Sequence, residues 1–512
     1  MILSKENIQD ITLRNGIKLA GKNSFELPEK VLQFGTGVLL RGLPDIIINS
    51  ANNKGVFNGR IVVIKSTSTG DTEAYDHQDA LYTVCIRGIE GANKIAENHI
   101  VSSISRVLNA ASEWDEILLC AANPDMQVII SNTTELGITL TKDNVHASPP
   151  QSFPGKLLAF LYQRFKVFSG DMDKGMVIVP TELIPDNADK LLSIVLELAH
   201  QNGFEIAFIE WLENANYFCN SLVDRIVPGK FTKEEQSVVE AELGYKDDLM
   251  IMSEKYVLWA IQSDSEKVKK ILSFADAAEG VIISPDINKF RELKLRLLNG
   301  SHSFSCGLAW LAGFETVKEA MADEVFTNYI SSLMKEAIIP AVISPAITKA
   351  EAEQFSAAVL DRYRNPFIAH QWMSICTQYS SKMFMRNVAL LQAYVERFGK
   401  PSPFMSLGMA AHILFMKSGQ AEDGKYYGKL ESKEYLITDE NAAWYSNAWA
   451  NDLTALPVEK ILGNEQLWQT DLNNLNGFTE QVTYWLQLLM DKGAAAAMQQ
   501  VTSLTTVLAD EK

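Results

Sequence analysis

The chain has 512 residues, 47% apolar and 21% charged, the composition of a globular protein too long for one ordinary core. With 63 acidic against 46 basic residues it carries a net charge of −17, which excludes a general nucleic-acid binder and obliges any anionic ligand to find a local cationic pocket. Five widely spaced cysteines with no CxxC pair, seven scattered histidines, no signal-like N-terminal run and no apolar stretch of ~18 residues predict reduced thiols, a cytoplasmic setting, no metal site and no membrane span.

In chain order, Val31–Phe34 is a short apolar run that stops at Gly35-Thr36-Gly37, and a helical pattern follows through Leu43 to Ile48. Arg60–Lys65 is β-branched and ends at Ser66, and Glu116–Cys120, Gln127–Ser131, Gly175–Pro180 and Glu205–Ile209 are further strand candidates. Strands spaced by helical segments predict a parallel sheet built from βαβ units. After about residue 285 strand signals nearly vanish. Amphipathic helical stretches take over at Ser303–Ala312, Val317–Ala337, Ala350–Arg362, Ile375–Arg397, Gly408–Lys417 and Thr479–Lys492. The expected class is α/β plus α: a Rossmann-type nucleotide-binding domain over 1–285 and a mainly α-helical domain over 286–512, with the active site in the cleft between them.

Gly35-Thr36-Gly37, after a strand and before a helix, fits the start of a dinucleotide fold. The third glycine of the usual fingerprint would fall at Leu40, so the match is partial. Arg41 is either a cationic contact for a phosphate or a substrate acid, or a solvated surface residue. The end of the second strand, Lys65-Ser66, lacks the acid that usually reads the ribose 2'-hydroxyl, which leaves NAD against NADP open. Asn132, Thr133 and Glu135 follow the strand ending at Ser131, placed either to touch the nicotinamide ribose or to cap a helix. Asp224-Arg225 is a pair that burial would require to be partnered.

The densest chemistry is Lys294, Asn299 and His302. On an α-helix Asn299 lies ~140° and His302 ~80° round from Lys294, so all three share one broad face. A lysine to take or give the hydroxyl proton, an amide to hold the oxygen and an imidazole to orient are what a metal-free carbonyl/alcohol redox site needs. Arg362, His370, Lys382 and Arg386 add basic groups, Lys382 and Arg386 sharing a helix face, as would suit a carboxylate or a polyol.

Taken in order, four segments resemble the mannitol dehydrogenase (polyol-specific long-chain dehydrogenase/reductase) family: Gly35-x-Gly37 with Arg41 its GxGxxxR, Asn220–Pro228 its NSMVDRITP segment, Lys294–His302 its KxxxxNxxH, and Arg362-x-x-Asn365-Pro366 its RFxNPxI region. Details such as Ser131–Glu135, Phe153-Pro-Gly-Lys156, Pro180–Ile184 and Asn299-Gly-Ser-His302 look like its hexuronate branch. The resemblance implies a nicotinamide cofactor, NAD with NADP not excluded, and interconversion of D-tagaturonate and D-altronate. Fructuronate and fructose are the alternative ketones within the family. It implies Lys294 as acid/base, Asn299 on the keto oxygen and His302 as orienting group. Gly35, Thr36, Gly37, Arg41, Ser66, Asn132, Thr133, Glu135 and Asp224 would serve the cofactor, and Arg362, His370, Lys382 and Arg386 the substrate. The partner is a small hexuronate or aldonate, with no nucleic acid and no membrane. Mannitol-type members carry a second oxyanion asparagine where this chain has Glu182-Leu183, so Asn299 acts alone or with His302.

Overall fold

A computed structural model describes residues 1–15, 17, 24–66, 72–133, 137–450 and 456–510. The chain divides into two compact units, one of Met1–Gly88 with Asn93–Ile287, the other of Asn288–Lys512 with the short Ile89–Ala92.

The first unit is built on six strands: β1 (Glu29–Phe34), β2 (Arg60–Lys65), β3 (Ile104–Asn109), β4 (Val128–Ser131), β5 (Val177–Pro180) and β6 (Tyr217–Phe218). They pair in the order β3-β2-β1-β4-β5-β6, all parallel, the doubly wound order of dinucleotide folds, with its reversal between β1 and β4. Their sequences run apolar without alternation because both faces of the sheet are covered. Successive side chains point to opposite faces. Val31, Ile61, Val63, Val128, Ile130 and Val177 enter the core on one side, and Leu32, Phe34, Val62, Ile64, Ile129 and Ile178 the core on the other.

Two expected strands are helices. Glu116–Cys120 lies in Trp114–Leu119 and the 3₁₀ turn after it, burying Trp114, Ile117, Cys120 and Ala121 while Leu119 stays 62% exposed. Glu205–Ile209 begins the helix Ile206–Ala215, which buries Phe208, Trp211, Leu212 and Ala215 and leaves Ile206 74% exposed. Both have the 3.6-residue period, visible only over a window longer than five residues. Two smaller sheets complete the unit: Ile251–Glu254, Tyr82–Glu90 and Asn93–Val101, and Val281–Ser284, Leu258–Gln262 and Ser221–Asp224.

The second unit is helical around one large core. At its centre Pro403–Phe415 is buried on nearly every side and packs against Ser301–Leu311 and against Phe478–Asp510, which kinks at Gly493. Glycines allow the close crossing with Ser301–Leu311: a Cβ on Gly408 would lie 2.7 Å from the Phe304 ring, and one on Gly307 3.2 Å from the Ala411 carbonyl oxygen. The expectation that strands nearly vanish here needs one amendment: Ser418–Gln420, Tyr426–Leu430 and Lys433–Leu436 form an antiparallel sheet. No helix among the described residues is long and apolar enough to cross a membrane.

Candidate active site

In the first unit the carboxyl ends of β1, β4 and β5 meet in series. Gly35 has φ 127°, a conformation L side chains rarely adopt, and a Cβ there would lie 2.9 Å from Leu40 Cδ1 and 3.0 Å from the Asn132 carbonyl oxygen. Leu40, where a third glycine was looked for, fills the space beneath the turn. Gly37 faces open space, with nothing within 4 Å of where its Cβ would be, and Ser66 Oγ at the end of β2 is buried without a partner among the described residues. An open glycine-lined turn and an orphaned hydroxyl at the carboxyl edge fit a dinucleotide.

Arg41 is turned inward. It is 4% exposed, donates from Nη1 to the Leu249 carbonyl at 2.5 Å, and lies over the Tyr82 ring. It braces the start of the helix from beneath rather than offering a cation to solvent. Beside it Asp45 is fully buried, hydrogen-bonded by Tyr82 Oη and Gln33 Nε2, and burial pushes its carboxyl up to about 7 against the pull of those groups and of Arg41. Gln33 Nε2 also reaches the Gly35 carbonyl at 3.5 Å, so this cluster underlies the glycine turn.

Asn132 Nδ2 donates to the Thr181 carbonyl and Oγ1, and Thr133 donates from N and Oγ1 to Glu182. Glu135 lies outside the described residues. Asp224 is buried at the end of its strand, opposite Leu258. Arg225 donates to the carbonyls of Glu254 and Gly42, and burial lowers its pKa to about 10.

In the second unit the catalytic candidates lie on one continuous helical run: Asn288–Leu293, then Lys294–Gly300 wound as a π-helix, then Ser301–Leu311. The π winding changes the geometry expected of an α-helix. Its i→i+5 bonding stacks residues five apart, and Lys294 and Asn299 are five apart, so they lie closer round the helix than ~140°. Both are half-buried. A second π segment, Phe384–Val388, packs on the first and carries Arg386. Asn387 Nδ2 donates to the Gly300 carbonyl at 3.2 Å, and Arg386 Nη1 to Ser303 Oγ at 3.1 Å and the Asn299 carbonyl at 3.4 Å. Arg296 Nη1 holds the Arg386 carbonyl at 2.6 Å.

His302 is 8% exposed, its Nδ1 without a partner among the described residues. Its ring lies 4.2 Å from that of Tyr363, 5.7 Å from His370 and 5.8 Å from Trp372. Burial, then His370, Arg386, Arg362 and Lys382 in turn, hold its pKa well below the usual histidine value. The imidazole is therefore neutral at working pH. All four residues picked from the sequence as a substrate set thus act on one imidazole. Lys382 Nζ donates to the Ile375 carbonyl at 2.9 Å, and burial lowers the pKa of Lys382, His370 and Arg386 alike.

Sequence reasoning missed Tyr363, Ser303 and Trp372. Tyr363 Oη bonds both Ser301 Oγ and the Leu298 carbonyl, fixing the ring beneath His302. The signal was an aromatic directly after Arg362.

A doubly wound nucleotide unit joined to a helical unit with a lysine–amide–imidazole face defines a nicotinamide-dependent oxidoreductase. Residues 29–272 match the Mannitol dehydrogenase Rossmann domain and 286–490 the Mannitol dehydrogenase C-terminal domain. The chain belongs to the mannitol dehydrogenase family. It is 36% identical over 501 residues to an altronate oxidoreductase of Halalkalibacterium halodurans, covering 96% of each chain. It is 34% identical to that of Bacillus subtilis, covering 93% of this chain and 95% of the relative. Its fold is also that of Pseudomonas fluorescens mannitol 2-dehydrogenase in complex with NAD and D-mannitol (TM-score 0.66, 22% identity, 98% of this chain and 100% of the other). A D-sorbitol dehydrogenase shares it as well (TM-score 0.78, 19% identity, 97% and 100%).

Proposed function

We propose that the chain interconverts D-tagaturonate and D-altronate with NAD as the cofactor. The observation that carries this is the convergence of Arg386, Arg362, Lys382 and His370 on a neutral His302 in a chain of net charge −17. Burial and the neighbouring basic groups lower the pKa of His302, His370 and Lys382, so a carboxylate arriving among them would be favoured, as at a site for a hexuronate. The altronate oxidoreductases among the relatives support the same substrate.

The bound nicotinamide supplies or receives the hydride. In reduction Lys294 gives its ammonium proton to the keto oxygen, and in oxidation takes the hydroxyl proton back. Asn299 donates its amide N–H to that oxygen, where charge develops. His302 holds a neighbouring hydroxyl. Arg386 and Lys382 anchor the carboxylate, which sets which carbon faces the lysine. Lys65-Ser66 at the end of β2 offers no acid to the ribose 2'-hydroxyl, so NAD is taken from the family reading and NADPH is tested beside NADH.

The test follows absorbance of NADH and NADPH with tagaturonate, fructuronate and fructose in parallel. Fastest turnover with NADH and tagaturonate is expected. Preference for fructuronate or fructose reassigns the substrate within the family, and preference for NADPH reassigns the cofactor.

A further inference from the structure

Glu182, two residues past the end of β5, is 3% exposed, and its carboxylate oxygens accept from Ser131 at the end of β4 and Thr133 in the turn after it. Oε1 accepts from Thr133 N at 2.8 Å and Thr133 Oγ1 at 3.0 Å, and Oε2 from Ser131 Oγ at 3.1 Å. Its hydrogen-bond partners among the described residues are uncharged. Burial pushes its carboxyl up, and those same hydrogen bonds pull it back. A carboxylate buried without a cation is costly, and a structural plug does not require one.

Its place in the fold says what it serves. In the doubly wound order the half around β1–β3 takes the adenosine side, so the carboxyl ends of β4 and β5 belong to the nicotinamide half. The turn that Glu182 grips holds Asn132 at its middle, whose carbonyl sits 3.0 Å from where a Gly35 Cβ would be and whose N–H donates to the Phe34 carbonyl. Any drift of the β4 turn would therefore close or open the space beneath the Gly35–Gly37 turn.

We infer that Glu182 is a positioning residue of the cofactor site, its carboxylate fixing the Ser131–Thr133 turn against which the nicotinamide half of the dinucleotide is placed. This rests on the oxidoreductase reading above. The amide of Glu182→Gln keeps an acceptor for Thr133 and a donor for Ser131 Oγ, whereas Glu182→Ala removes the acceptor of all three bonds.

The experiment titrates NADH by fluorescence into the full-length wild type, Glu182→Ala and Glu182→Gln, with melting temperatures measured alongside. Wild type that binds neither NADH nor NADPH sinks the oxidoreductase reading itself. Given wild-type binding, Glu182→Ala is expected to weaken NADH about tenfold or more, the scale of losing charge-assisted bonds at one turn. Glu182→Gln is expected to recover most of that. A folded Glu182→Ala that binds within twofold of wild type overturns the inference. So does Asn187→Ala, which loosens the same strand end through the Pro180, Glu182 and Ser221 carbonyls, if it weakens NADH equally at an equal loss of melting temperature.

Discussion

Replacing Asp45 by asparagine tests the support beneath the glycine turn. Its carboxyl is raised from 3.8 to about 7, chiefly by burial. A carboxyl raised in the folded state keeps a proton that the unfolded chain has already released. Its contribution to stability therefore falls as pH rises from the unfolded to the folded value, and is level above that. A shift of roughly three units corresponds to about 4 kcal/mol across the window. Asparagine does not titrate, so the stability of Asp45→Asn relative to wild type should grow by about 1.4 kcal/mol per pH unit, or about 2 kcal/mol between pH 5.5 and 7. At about 2–4 °C per kcal/mol for a unit of this size, the gap in melting temperature should widen by roughly 4–8 °C and then hold level to pH 8.5. Differential scanning calorimetry of both proteins across that range measures it. A gap that stays constant, or narrows as pH rises, would refute the reading of Asp45 as a buried group that ionises near neutrality.

Lys294→Ala should cut tagaturonate turnover by about 10²–10⁴, the usual worth of a positioned acid, with the NADH dissociation constant unchanged; turnover above a tenth of wild type would remove Lys294 as proton donor. His302→Asn should lower kcat/KM yet leave every ionisation of the pH–rate profile in place, because the imidazole is held neutral by burial and its basic neighbours. Disappearance of an ionisation between pH 5 and 8 would contradict this. Arg386→Gln should raise KM for tagaturonate about 10–100-fold, as loss of a charged contact of about 1.5–3 kcal/mol requires; an unchanged KM takes Arg386 out of the carboxylate site.

The apolar runs at Val31–Phe34, Arg60–Lys65, Gln127–Ser131 and Gly175–Pro180 were legible as buried strands because covering both faces of a sheet forces uninterrupted hydrophobicity. The same rule misled at Ile117 and Phe208, where four or five apolar residues in a row hide a helical stripe. Tyr82–Glu90 and Asn93–Val101 carry too many polar positions to announce themselves, and Tyr426–Leu430 pairs with Lys433–Leu436 across a turn at Glu431 with little burial to pattern it. Lys294, Asn299 and His302 were readable as one face, but not the π winding that draws the first two together. Spacing alone does not say when a helix takes an extra residue into a turn, and Arg41 and Arg386 lie in π segments too. The inward fate of Arg41 was illegible because its partners, Leu249 and Tyr82, are distant in sequence.

The basic groups gathered on His302 have a consequence that separates a hexuronate from a neutral ketose. His370 is held below the usual histidine value by burial, then by Lys382 and Arg362, so it gives up its proton more readily than a free imidazole. A carboxylate arriving among these cations cancels their field and favours protonated His370, so its pKa rises on binding. Binding of a hexuronate should then take up protons near pH 6, and less as pH rises towards 8. A neutral sugar brings no charge and should take up none. Calorimetric titration of the NADH complex with altronate and with mannitol, in two buffers of different ionisation enthalpy, reads the uptake directly. If altronate binds without buffer dependence at pH 6, the four basic groups do not meet its carboxylate, and the substrate acid must be held elsewhere.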